Sequence, residues 1–377
     1  MTPYELKHSA QDVLVNNILR FWSERMVDKE HGGFYGRIDG HNILHPEAEK
    51  GAVLNARILW TFASAARILH RMPYRILAAR AKDYLITRFI DPQYGGVYWS
   101  LNADGTPLDT KKQTYAIAFA IYGLTEYYRA TGDQETLDIA IRLFEDIEAH
   151  AFDAVNVGYI EALTRDWQPI ADMRLSESDE NGSRTMNTHL HVLEAYTNLY
   201  RVYKDERVAR QLRVLISIFV NRLFNPSNGH LDLFFNDQWQ GRRDKTSPGH
   251  DIEAAWLLRE ALEVLGDKDL LQQTLPVCRR LAVAARDGIL KETQWWCYAE
   301  AVVGYVDQYQ DIRDTHHWLM AEKAYAFIQS NLLDREHGEW YWSVLPDGTP
   351  DRDNDKAGFW KCPYHNSRMC FELIERL

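Results

Sequence analysis

A chain of 377 residues with a formal charge of −11 has ample apolar material for a large core. The acidic balance, without a basic stripe, excludes nucleic acid and anionic membrane surfaces as natural partners. No run is long and apolar enough to span a bilayer, and Met1 to Trp22 carries Glu5, Lys7, His8, Asp12 and Arg20 where a secretory leader would be uninterruptedly apolar. The four cysteines, Cys278, Cys297, Cys362 and Cys370, have neither CxxC pairing nor disulfide-framework spacing, so a reduced, cytoplasmic setting is expected.

In chain order, hydrophobic periodicity predicts helices near 5–28, 52–71, 74–90, 112–131, 133–149, 184–203, 205–224, 250–265, 267–287, 295–310, 313–332 and 362–377. Asp133 and Asp267 stand where caps belong, and Gly132 and Gly266 end the preceding helices. Between helix pairs a glycine followed by aromatic or β-prone residues returns: Gly32-Gly33-Phe34-Tyr35, Gly95-Gly96-Val97-Tyr98-Trp99, Gly158-Tyr159-Ile160, Gly229-His230-Leu231 and Gly338-Glu339-Trp340-Tyr341-Trp342. Asp104-Gly105 and Asp347-Gly348 read as tight turns closing short hairpins. Length alone would suggest two or three domains, but no stretch has linker composition, so a single domain over residues 1–377 is expected. Repeated helix pairs with hairpin insertions point to an all-α (α/α)6 barrel, its inner helices starting near 52, 112, 184, 250, 295 and 362. The alternative is an open helical solenoid that binds a partner on its concave face.

Each expected inner helix opens on a polar or aromatic cluster. Arg57 sits on an apolar face, either snorkelling to solvent or offering a fixed cationic fork to substrate oxygens. Tyr115 is core or a hydroxyl donor. Asn187 and His191 share a face, with His189 on another. Ser247-Pro248-Gly249-His250 begins the fourth inner helix, and Glu253 lies three residues on, within reach of the His250 ring. A carboxylate there would orient the imidazole and raise its pKa. Trp295-Trp296 opens the fifth, where one indole at least should face a cavity, and Pro363 fits the first turn of the sixth, just ahead of His365. His191, His250, Glu253 and His365 could be a metal set, but His189 and His191 cannot both grip one ion from a regular helix and no HExxH is present, so no metal is expected.

The strings NTHLHVLEAY, GHDIEAAWLL, WW-x-x-AE and KCPYHNSRMC together resemble the N-acylglucosamine 2-epimerase superfamily, from residue 55 to the C-terminus. The resemblance implies an (α/α)6 barrel that isomerises a small-molecule sugar at its reducing end without metal or redox cofactor. It implies further that His250 and His365 form an acid/base pair, that Glu253 supports His250, and that His191 handles protons during ring opening. Arg57, Tyr115, Asn187, Trp295, Glu300 and Trp360 are implied as sugar-binding. Cys297 and Tyr298 depart from the family's usual pattern. The expected activity is epimerisation of the reducing-end glucose of a β-1,4-linked disaccharide, from cellobiose to glucosyl-mannose. Mannose and N-acylglucosamine are the monosaccharide alternatives, with the loops 165–183 and 346–358 setting the width of the site. Two further readings stand beside it: a glycoside hydrolase using Glu161, Glu253 or Glu300, and a non-catalytic sugar-binding toroid.

Overall fold

Twelve helical segments form among the described residues, 1–241 and 244–377 of the computed structural model, each within a few residues of its expected span. They are α1 (Pro3–Val13, running through a π-turn at Leu14–Leu19 into Arg20–Arg25), α2 (Ala52–Leu69), α3 (Met72–Tyr84, ending in a π-turn at Leu85–Phe89), α4 (Thr114–Thr131), α5 (Gln134–His150) and α6 (Met186–Val202). There follow α7 (Glu206–Ile218, with a π-turn at Phe219–Leu223), α8 (Pro248–Leu265), α9 (Lys268–Ile289), α10 (Trp295–Ile312), α11 (Thr315–Phe327, with a π-turn at Ile328–Leu332) and α12 (His365–Arg376).

The even-numbered helices pack each on the next, and α12 closes onto α2. Each odd-numbered helix lies outside against an even-numbered one, with α1 against α12. The result is an (α/α)6 barrel, and ring closure sets aside the open solenoid. Burial follows composition. Every residue of α2 from Ala52 to Ala65 and of α4 from Thr114 to Tyr127 is buried, as expected of helices apolar on all sides. The outer α7 buries only a stripe, including Val208, Ala209, Leu212, Leu215 and Ile216. α2 and α4 approach so closely that a Cβ on Gly123 would stand 2.7 Å from the Ala56 carbonyl oxygen.

The hairpins gather at one end, where the inner helices begin. Lys50–Gly51, Lys112–Gln113 and Arg184–Thr185 each pair antiparallel with a strand further along the chain. The first backbone N–H of an inner helix, which has no partner within the helix, is taken by those insertions: Ala52 by Trp99 O, Thr114 by Glu161 O, Met186 by Leu233 O and Trp295 by Trp342 O. Gly105 and Gly348 hold φ of +87° and +83° in the expected turns.

One repeat escaped sequence reading. After the π-turn segments of three outer helices, an aspartate caps the following loop with one carboxylate oxygen and binds a lysine with the other. Asp28 takes the N–H groups of Glu30 and His31 and the Nζ of Lys50; Asp91 those of Gln93, Tyr94 and Lys112; Asp334 those of Glu336, His337 and Lys356. Asp153 and Arg184 form a fourth version of the pair. Lys50, Lys112 and Arg184 each stand two residues before an inner helix, so those three pairs tie an outer helix end to an inner helix start, whereas Lys356 lies in the loop ahead of α12.

Two expectations need correction. α12 begins at His365, so Pro363 precedes the helix instead of opening it; its carbonyl accepts from Thr61 Oγ1 at 2.9 Å, which α12 could not offer as a free acceptor once wound. The loop 346–358 packs on the N-terminal region, through Asp355 with Arg37 and Ala357 with Ile38, and contributes no residue to the cavity at the starts of the inner helices. No helix among the described residues is long and apolar enough to cross a membrane.

Lys50 and Asp28 are 0% and 1% exposed and 2.6 Å apart. Lys50→Met strands a buried carboxylate and should lower unfolding free energy by about 3–5 kcal/mol. The double variant K50M/D28N, with no charge left unpaired, should recover most of that loss in denaturant unfolding.

Candidate active site

The starts of the inner helices surround a cavity of about 330 Å³. Arg57 from α2, Tyr115 from α4, Asn187 and His191 from α6, His250 and Glu253 from α8, Trp295 from α10, His365 from α12 and Trp360 just before α12 all line it. The sequence reading missed Gln294, Trp296 and Trp342 on the aromatic wall, and Leu175, Ser176, Ser178 and Asp179 on the loop crossing the mouth. That loop lies within 165–183, as expected, and Gln113 Nε2 holds it by donating to the carbonyls of Met173 and Arg174. Both adjacent tryptophans reach the cavity. Tyr298 does not: it stacks on Phe327 at 4.0 Å, facing outward, so the departure from the family's pattern leaves the cavity untouched.

Three imidazoles face this space, each tethered at Nδ1. His191 pairs with Glu194 at 2.8 Å, His365 with Glu300 at 2.7 Å, and His250 with the Ser247 hydroxyl at 2.7 Å. The rings of His250 and His365 lie 4.7 and 5.6 Å from the Trp296 ring, which both imidazoles border. His189 is structural: its Nδ1 meets Thr185 O and its Nε2 accepts from Tyr159 N–H.

Two expected assignments change here. Glu253 is not the partner of His250. It turns to the Arg368 guanidinium at 2.5 Å, and a full positive charge outcompetes a neutral ring. Glu300 does not line the cavity; wholly buried, it stands behind His365 and also accepts from Trp256 Nε1. The i,i+3 histidine–carboxylate spacing expected at 250 and 253 is realised instead at 191 and 194.

Arg368 organises the floor. Its guanidinium binds Glu194 on α6, Glu253 on α8 and Glu300 on α10, from three different helices. The Tyr364 hydroxyl donates to Glu194 as well. Glu194 reaches through the floor to a second cavity at the far end of the barrel, of about 480 Å³, where Arg67–Glu126 and Arg201–Glu260 pair between helices and Arg129 pairs with Glu126 within α4.

Burial dominates the titration of the site. It pushes His191 down to about 4 despite Glu194, and His250 down to about 3, helped by the nearby His191. His365 falls well below the ordinary range through burial and the charges of Arg57 and Arg368. The expectation that a carboxylate raises the His250 pKa is therefore reversed. Burial lifts Glu253 to about 8, with Glu300 adding to it against Arg368. Glu194 is also buried, yet Arg368 and His191 hold it at about 2. At neutral pH the three imidazoles are neutral and the spare proton rests on Glu253.

Arg57 is 2% exposed and forms no ion pair among the described residues. Its nitrogens meet Tyr115 OH at 2.9 Å and Cys362 Sγ at 3.3 Å, and the rings of Phe119 and Tyr364 flank it at 4.1 and 4.4 Å. A buried cation without a counter-charge is costly, and here it faces the cavity. Four cavity residues also carry a buried polar atom with no hydrogen-bond partner among the described residues: Arg57 Nε, Asn187 Oδ1, Glu253 Oε2 and Trp295 Nε1. Donors and acceptors are thus both left free around the space, a lining suited to a polyhydroxylated ligand.

Glu253, Glu300 and His365 offer ligand atoms within 4.8 Å of one another. Arg368 Nη2 already lies 2.5 Å from Glu253 and 2.7 Å from Glu300, so the guanidinium stands where a cation would.

Residues 33–368 match the family described as N-acylglucosamine 2-epimerase. A Bacteroides fragilis protein named cellobiose 2-epimerase is 53% identical over 98% of this chain and 98% of its own length. A Ruminococcus albus protein of the same name is 40% identical over 96% of this chain and 97% of its own. The solved structure of cellobiose 2-epimerase from Bacillus thermoamylovorans superposes with a TM-score of 0.94 at 38% identity, covering 99% of this chain and 100% of that one.

The burial of the imidazoles has a direct readout. In ligand-free protein the His191 and His250 ring signals should keep their neutral NMR positions down to about pH 5, with midpoints near 4 and 3. Midpoints near the ordinary 6.5 would mean water reaches the rings freely.

Proposed function

The chain belongs to the N-acylglucosamine 2-epimerase family, and from that premise we propose that it is an isomerase acting at C2 of the reducing-end sugar of a β-1,4-linked disaccharide, converting cellobiose to glucosyl-mannose. The observation that carries this reading is the meeting of three neutral imidazoles and one uncompensated guanidinium around a single cavity. The cavity continues into a neighbouring pocket of about 180 Å³ that shares Leu175, Asp179, Asn187 and His250. That extra room supports a disaccharide over mannose or an N-acylglucosamine, as do the names of the relatives at 53% and 40% identity.

C2–H becomes acidic only when C1 is a carbonyl, so the pyranose ring opens first. His191, oriented by Glu194, removes the anomeric hydroxyl proton, and the protonated Glu253 is placed to give one to the ring oxygen. His365 or His250 then takes the C2 proton, leaving an enediolate whose negative charge Arg57 neutralises. Preorganised cationic donors of this kind contribute about 3 kcal/mol in a water-poor site. The opposite imidazole must by then be imidazolium, charged by a proton drawn from solvent as the ligand binds; it delivers that proton to the other face of C2, inverting it, and the first ring releases the proton it took, which restores the balance. The two partners differ in strength: His365 has a carboxylate at Nδ1 and His250 a serine hydroxyl, so imidazolium is better supported at His365. Trp295, Trp342 and Trp360 supply faces for the sugar rings. No bond to a metal or redox cofactor enters these steps.

A hydrolase would need two carboxylates flanking a glycosidic bond. Glu161 instead accepts from Thr185 N and Thr188 Oγ1 at the start of α6, and Glu300 lies behind His365, which disfavours that reading. We assign the protein to the cytoplasm, where four buried, unpaired cysteines suit a reducing medium, and read the chain as one catalytic domain because its first helix packs on its last. A small sugar is the only partner this reading needs.

With cellobiose in D2O, glucosyl-mannose should appear carrying deuterium at C2. H250A and H365A should each lower turnover by about 10²-fold or more, and survival of epimerisation without either ring would remove the two-base assignment. S247A should slow the reaction by less, because it frees the His250 ring without deleting it. Release of glucose alone would identify a hydrolase.

A further inference from the structure

The hairpin after α11 contains a residue that breaks the pattern of its sister copies. In the first two hairpins the paired glycines end at Gly33 and Gly96, with φ of +63° and +62°, and their carbonyls accept from Asp28 N–H and Asp91 N–H. The third copy repeats the backbone: Glu339 O accepts from Asp334 N–H, and φ is +63°. A glutamate has been placed in a left-handed conformation that glycine fills elsewhere at no steric cost.

Its side chain accounts for the exception. Wholly buried, the carboxylate receives Lys361 Nζ at 2.7 Å, Trp22 Nε1 at 2.6 Å, Asn366 Nδ2 at 2.6 Å and the Trp340 N–H at 2.9 Å. These donors come from α1, from the hairpin itself, from the segment that carries Trp360 and from the first turn of α12 beside His365. Lys361 in turn lies 4.9 Å from the Trp295 ring centroid. The Trp295 ring sits 4.7 Å from Trp342 and 6.3 Å from His365, and its indole N–H, like Arg57 Nε, is an unpartnered donor among the described residues of the cavity.

We propose that Glu339 is a positioning residue for sugar binding: it fixes Lys361 against the Trp295 ring and so aims that indole N–H, together with the Trp342–Trp360 wall, at the ligand. A cation near the ring also strengthens the N–H as a donor. Asp28, Asp91 and Asp334 hold lysines too, but those lysines lie over Tyr84, Tyr98 and Tyr341, outside the cavity lining; the Glu339 lysine lies over Trp295, which is part of it. The role rests on the epimerase reading above.

The test uses the full chain, with cellobiose titrated by tryptophan fluorescence and initial rates measured alongside. E339G/K361M removes both charges and restores the glycine of the sister hairpins, and K50M/D28N removes the structural pair of the first copy as a control. E339G/K361M is expected to raise KM about tenfold, the scale of one desolvated cation–π contact, with kcat changed less than about threefold, while the control leaves KM where it was. An unchanged KM overturns the proposal. So does an equal loss in KM and kcat, or the same KM shift in the control, since both mark a merely structural part. Should E339G/K361M fail to fold, E339Q is read by the same KM-to-kcat split. Wild-type protein that neither binds nor turns over cellobiose would count against the epimerase reading itself, an outcome separate from these.

Discussion

One guanidinium sets the chemistry of this barrel. Arg368 draws Glu194, Glu253 and Glu300 together from three inner helices, and two of them, Glu194 and Glu300, hold imidazoles above. Three buried carboxylates with one arginine form an overcrowded set, in which all cannot be charged at once. The crowding is resolved unequally: Glu194 stays ionised beside His191, and Glu253 keeps a proton. Like groups given different tasks by their surroundings are the usual way a site obtains an acid and a base at one pH.

The fold and most cavity residues were legible because their signals are local. Helical periodicity, capping aspartates and Gly-aromatic hairpins act over a few residues, and they placed twelve helices correctly. The cavity residues were legible because ring closure brings every inner helix start to one place, so a polar cluster there has to face the centre. Partnerships were not legible. His191 with Glu194 and His250 with Glu253 have identical spacing, yet only the first pair forms. Arg368, 115 residues beyond Glu253, binds both carboxylates, and only Glu194 reaches its imidazole as well, through its second oxygen. The direction of the histidine shifts failed for a related reason: a sequence displays a neighbouring carboxylate but not the loss of water, and here the loss of water is the larger effect.

The aspartate–lysine pairs and Glu339 illustrate a division of labour among near-identical hairpins. A shared backbone turn, a shared cap and a shared buried ion pair recur in three of the wedges of the barrel. One wedge then departs from the shared rule, accepting an unfavourable φ at Glu339 in return for four hydrogen bonds to its carboxylate. Strain of this sort persists only where surrounding structure holds it in place, and Trp22, Lys361 and Asn366 do so.

The floor made by Arg368, Glu194 and Tyr364, each no more than 2% exposed, divides the barrel axis into two chambers. Traffic of ligand is thereby one-ended: whatever comes in past the 170s loop must back out the same way. For an isomerisation in which starting compound and product differ only in the orientation of one hydroxyl, departing and arriving molecules then queue at a shared doorway and hold comparable claims on it. Accumulating product would therefore compete with fresh substrate for that doorway from the first turnovers onward.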